Sequence, residues 1–136
     1  MTELIDFPSG PGAFFKAATF EDSPALLVEV LRFERDRPGN YGPKDTIHAN
    51  IHRFDDLEAL ERGEADIHQG VLIQNNPLVR DLVDLVGKAT ITKLGTAFFK
   101  KAGKEGSVWR QPDARAKKLA TDYAKDYFAK LEADLE

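Results

Sequence analysis

Apolar and polar positions change period several times along this chain, and each change marks an element. In residues 26–35, Leu26, Val28 and Val30 alternate with Leu27, Glu29 and Leu31. Apolar residues on both faces predict a strand that is covered on its outer side as well as its inner one. Residues 46–54 alternate more cleanly. Ile47, Ala49 and Ile51 face one way and Thr46, His48, Asn50 and His52 the other, so one side enters a core and the other meets solvent or a ligand. Residues 69–74 form a third, short apolar strand. The spacing then shifts to three and four: Leu78, Val79, Leu82, Val83, Leu85 and Val86 make a helix face, with Asn76 as N-cap, Pro77 at the first helical position and Gly87 as the stop. Residues 89–100 start β-branched and read as a fourth strand, in which Gly95 predicts a bulge or sharp bend. A hairpin loop over 101–106 leads to a fifth strand, residues 107–111. Pro112-Asp113 then caps a last helix with one apolar stripe of Ala116, Leu119, Ala120, Tyr123, Tyr127, Leu131 and Leu135.

Between these elements lie Pro- and Gly-rich residues 37–43, a loop, and the acidic residues 55–66, a loop with room for one helical turn. Residues 1–22 carry four Pro and Gly between positions 8 and 12, then Phe14, Phe15 and Phe20. They read as an extended arm, without a regular element, pinned to the body by its aromatics. The order β-β-β-α-β-β followed by a helix is that of the OB fold, a partly open five-stranded barrel. The expected fold is therefore mainly β with helices: an arm (1–22), an OB-type barrel (23–112) and a C-terminal helix (113–136) packed on the barrel or projecting from it. The same elements laid flat as an α+β sandwich are the competing assembly.

Length fits one domain with one core. Cysteine is absent, which removes disulfides and thiolate chemistry, and no run of about 18 apolar residues exists to span a bilayer. The first residues lack the basic start and apolar stretch of a signal peptide, so the expected location is the cytoplasm. The net charge of −4 hides an asymmetry. Residues 88–118 hold nine basic side chains against two acidic ones, while residues 1–87 hold eight against sixteen. A strongly positive segment in an acidic protein is a footprint for an anionic partner, or a solvated surface balanced by neighbouring carboxylates.

Enzymatic signals are thin. No phosphate-binding glycine loop, nucleophile elbow or H-E-x-x-H helix is present, so no catalytic residue, metal or cofactor is expected. His48 and His52 share a strand face with His68 nearby, but strand positions four apart lie about 13 Å from one another, too far for one ion. Nucleic-acid signals are stronger. Single-strand binders combine a positive groove with aromatic platforms, and Phe98, Phe99, Lys100, Lys101 and Lys104 lead into Trp109 and Arg110 in one hairpin, with Lys93 on the same strand. The strand 1–2 loop carries Arg35, Arg37, Tyr41 and Lys44. In an OB barrel the loops joining strands one–two and four–five, with the face of strands two and three, bind oligonucleotides; that face offers His48, Asn50 and His52. Alternation sends one of Phe98 and Phe99 inward. Trp109 suits either the core or a stacking platform.

Residues 77–82 (Pro77-Leu78-Val79-Arg80-Asp81-Leu82), Gly87, Leu94-Gly95, Val108-Trp109 and the Ala-rich last helix resemble small OB-fold proteins of actinobacterial phages, over roughly residues 23–130. The chain departs from them at Val108, where a Pro often precedes the Trp, and at Arg110-Gln111, where apolar residues are usual. The resemblance implies a phage origin, a host-cytoplasmic location and single-stranded DNA binding in replication or recombination. Single-stranded DNA is thus the expected partner, with RNA open as well. The alternative is an OB-like adaptor that binds a host or phage protein, for which the acidic residues 55–66 or the acidic C-terminus would serve. An exposed edge strand also allows a homo-oligomer.

Overall fold

The structure, a computed structural model, describes residues 13–40 and 42–135. Five antiparallel strands form one strongly curled half-barrel of OB-like type: β1 (Leu26–Arg37), β2 (Lys44–Arg53), β3 (Asp66–Ile73), β4 (Ala89–Phe99) and β5 (Lys104–Arg110), in the order β3-β2-β1-β4-β5. Among the described residues four α-helices accompany them: α1 (Ala17–Phe20), α2 (Leu57–Arg62), α3 (Asn76–Leu82) and α4 (Ala114–Leu135). The expected strand–strand–strand–helix–strand–strand–helix order holds, and the sheet curls rather than lying flat.

Curvature comes from bulges, and they do not fall where the sequence placed one. Gly95 sits in unbroken register, opposite Val108. Its lack of a side chain serves a close approach instead: a Cβ there would lie 2.7 Å from both Cδ and Nε of Arg110, which crosses over it. The register shifts lie between Val30 and Arg32 and between Glu34 and Arg37 in β1, and opposite Ala49–Ile51 in β3. In the last of these, Gly70 takes φ +67°, a left-handed conformation natural to glycine. Its N–H donates to Asn50 Oδ1 at 3.0 Å.

Two cores follow from the alternation. Leu26, Val28, Val30, Ile47, Ala49, Ile51, Val71, Ile73 and Leu94 point into the curl and meet Leu78, Val79 and Leu82 of α3. On the outer side, α4 and α2 cover Ala25, Phe54 and Ile91 with Ala59, Leu60, Ala116, Ala120 and Tyr123. The acidic residues 55–66 therefore do contribute a helix, capped by Asp56 Oδ1, which accepts from the Ala59 N–H, and closed by Gly63 at φ +69°. At α3 the cap is Asn75, not Asn76, so Pro77 occupies the second helical position, and the helix tightens to a 3-10 turn over Val83–Leu85. At its start, α4 is capped by Asp113, as its sequence suggests. Its stripe is not buried throughout: Leu131 lies exposed.

The edge strands β3 and β5 are bridged by side chains. Residues 13–15 run parallel to β3, with Leu72 N–H donating to Ala13 O and Phe15 N–H to Leu72 O at 3.0 and 2.8 Å. Phe15 then stacks on Phe20 and meets Trp109 of β5 edge-on, while Trp109 Nε1–H donates to Leu78 O of α3 at 3.1 Å. The segment expected to hold no regular element thus contributes a one-turn helix and a strand bridge.

Candidate nucleic-acid interface

Where the end of the β1–β2 hairpin, the β3–α3 connection and the tip of the β4–β5 hairpin converge, the surface opens into a cleft of about 840 Å³. Each wall has a local cause. A bulge beside Asp36, held at φ +51° with its N–H bonded to Asp45 Oδ1, turns the end of β1. Asn75 ends the strand-to-helix link at the N-cap position of α3, where its backbone carbonyl accepts from the Val79 N–H at 2.9 Å. At the hairpin tip, Gly103 takes φ +67° and closes the turn with its N–H on Phe99 O at 2.8 Å. Because β5 begins at Lys104, this turn is shorter than the loop expected over 101–106.

Three lysines line the cleft, Lys44 from the start of β2 and Lys101 and Lys104 from the β4–β5 hairpin. All three are exposed, and among the described residues none is held in an ion pair. Facing them are the carboxylates of Asp36, Asp45 and Glu105 and the amides of Gln74, Asn75 and Asn76. Both groups escaped the sequence reading, although three amides in succession at a strand end were a visible sign of a polar rim. Phe99 lines the cleft with its ring over Gly106. Phe98, opposite Glu105, projects from the same hairpin 63% exposed.

Of the other expected residues, Lys100 is exposed at the tip of the hairpin. Arg35 lies over the Phe33 ring at 5.4 Å. Arg37 pairs with Glu34 at 3.4 Å and covers Phe14. Tyr41 lies outside the described residues. Lys93 and Arg110 face each other across β4–β5, and the Arg110 guanidinium donates to Thr96 O. Trp109 packs against the inner core with its N–H engaged, which suits a structural rather than a stacking ring.

The polar face of β2 is not the open surface its alternation suggested. His52 is 0% exposed, sealed beneath α4. Its Nε2–H donates to Glu29 Oε2 at 2.6 Å, and in the neutral imidazole its Nδ1 accepts the Tyr123 hydroxyl at 2.8 Å. Tyr127 meets the His52 ring edge-on. Burial pushes the Tyr123 hydroxyl up to about 12, with Tyr127 and Glu29 adding to the rise. Tyr127 is raised as well, by burial and then by Glu29. Asn50 is engaged by the β3 bulge. His48 is partly buried against Glu34 at 2.9 Å, a hydrogen bond that holds the Glu34 carboxyl below the usual carboxylate value, with Arg32 and Arg37 adding. These three residues therefore lie outside the cleft, because each has been recruited by a neighbouring element.

Among the described residues no group of three or more His, Asp or Glu is placed to hold a metal ion, and no helix is long and apolar enough to cross a membrane. A comparison with protein-family models found no match, and comparisons with curated proteins and with solved structures found none either.

Proposed function

We propose that the protein binds single-stranded nucleic acid without catalysing a reaction, with DNA as the ligand its phage-like sequence features favour. The carrying observation is that Lys44, Lys101 and Lys104 converge on one open cleft with their ammonium groups unpaired among the described residues. Lysines in that state meet phosphates without first breaking a protein ion pair, and each one releases counterions from the strand. The cleft's three carboxylates temper the field, so affinity is moderate and salt-sensitive. Exposed Phe98 on the same hairpin supplies a ring on which a base stacks. A cytoplasmic setting in replication or recombination follows from the same reading.

The test is a titration of fluorescein-labelled oligothymidine and of a matching duplex over a range of salt. The single strand binds at low salt, and the duplex more weakly. K101A/K104A reduces the slope of log K against log salt by about 1.4, since each phosphate contact on a single strand contributes about 0.7. Absence of binding to oligothymidine at low salt excludes this function.

A further inference from the structure

We propose that a side chamber of the cleft, built on Phe14, seats one nucleobase of the bound strand; this rests on the single-strand reading above. Phe14 is 52% exposed although its backbone lies in the parallel bridge to Leu72. The bridge explains the exposure: an extended backbone sends neighbouring side chains to opposite sides, and Phe15 takes the inward one, onto Phe20 and Trp109. Phe14 thus contributes little to the core and leaves a flat ring at the surface. Arg37 holds its guanidinium 5.9 Å from the centre of that ring.

Between them and Gly39, Asn40, Gly42, Lys44 and Gln74 lies a mostly apolar pocket of about 260 Å³. Lys44 and Gln74 also line the large cleft, so the two spaces adjoin. Apolar walls, a phenyl ring and a stacking guanidinium suit a planar heteroaromatic ring, for which Arg and aromatic side chains are the usual partners. The rim supplies edge recognition: Gln74 Nε2 donates to Thr46 Oγ1 at 3.1 Å, and its Oε1 has no partner among the described residues. Lys44, which also lines the large cleft, meets the phosphate beside the seated base. Division of labour follows, with the lysines of the cleft binding backbone and the Phe14 pocket binding a base.

The experiment compares oligothymidine with an abasic oligomer of the same length, which offers sugar and phosphate alone, on the wild type, F14A and F14W. F14A weakens oligothymidine binding about 5- to 150-fold, the range for loss of one base–aromatic stack. It leaves the salt slope and the affinity for the abasic oligomer unchanged, and F14W restores binding. Equal losses on both oligomers, or an F14A protein that binds oligothymidine as the wild type does, overturn the pocket and leave the single-strand reading standing. A wild type that binds neither oligomer overturns both. Binding of a tryptophan-bearing acidic peptide, abolished by F14A and without any oligothymidine binding, assigns the pocket to a protein partner instead.

Discussion

Beneath α4, the side chains of His52, Glu29 and Tyr123 bond to one another, whereas at the cleft the ammonium groups of Lys44, Lys101 and Lys104 bond to none of the described residues. The difference follows from what covers each region. His52 has no access to water, and a buried polar group without a partner costs on the order of 1–3 kcal/mol, so its two ring nitrogens must both be satisfied from within the protein. The lysines stand in water, which satisfies them fully and leaves them available to an anion. Polar character alone therefore does not mark a binding face. Cover does, and in this fold α4 supplies it over one side of the sheet, while the hairpin ends around the cleft stay open.

The largest expected effect comes from breaking the covered side. His52→Ala removes a fully buried ring and leaves the Glu29 carboxylate, 16% exposed, and the Tyr123 hydroxyl without their partner beneath α4. Cavity and unsatisfied groups together cost about 2–4 kcal/mol. Urea unfolding measures this as a lower midpoint, while the folded fraction binds oligothymidine with the wild-type salt slope. K101A/K104A does the opposite, moving the slope but leaving the midpoint within about 0.5 kcal/mol of wild type. A His52→Ala protein that keeps its midpoint but loses oligothymidine binding would erase the distinction between the two regions.

That distinction was only half legible in the sequence. Alternation correctly put His52 on the face opposite Ile51, and helical spacing correctly put Tyr123 and Tyr127 in one stripe. That the stripe lands on His52 is a contact across 71 residues, which no local period encodes. The two strand glycines make the same point. Both Gly70 and Gly95 interrupt apolar runs, but only Gly70 faces a strand one residue shorter in register, and the count is visible only once the partners are paired. Strand existence, helix stops and the basic hairpin were readable because each depends on neighbours in the chain. Asp36 and Asp45 counted toward an acidic N-terminal half, yet they end up facing lysines of the basic segment. Phe14 was invisible as a surface ring because a bridge of so few residues has no period to detect.

The covered region also titrates. An unfolded tyrosine loses its proton near pH 10. With the Tyr123 hydroxyl pushed up to about 12 by burial, the folded chain keeps its proton over an interval in which the unfolded chain has lost it. The stabilisation is complete below pH 10 and is lost as pH rises from 10 through about 12. Tyr127, raised by the same burial, adds to the loss in the same direction. Thermal unfolding followed by near-ultraviolet circular dichroism shows a falling midpoint across that interval. In Y123F the fall is shallower, because the group with the largest rise is gone. An equal fall in both proteins would place the titration elsewhere and detach Tyr123 from the seal under α4.

Arg110 sharpens the comparison at its smallest scale, because it carries a cation within the basic segment yet behaves like the covered side. Its guanidinium donates to the Thr96 carbonyl, and its chain fills the space that Gly95 leaves. An anion would have to compete with a bond already made, whereas Lys101 and Lys104 make no such bond with any described residue. Arg110→Ala is therefore expected to cost under about 1 kcal/mol of stability, the worth of one exposed hydrogen bond and some packing. It is expected to leave the salt slope for oligothymidine unchanged, where each cleft lysine removes about 0.7. Gly95→Ala separates the two contributions. Its Cβ displaces the flexible Arg110 side chain from above β4, frees a cation, and steepens the slope wherever that cation then reaches a phosphate. A slope that falls in Arg110→Ala as far as in Lys101→Ala would show that the bond to Thr96 yields to the strand, and that an engaged cation still counts toward the interface.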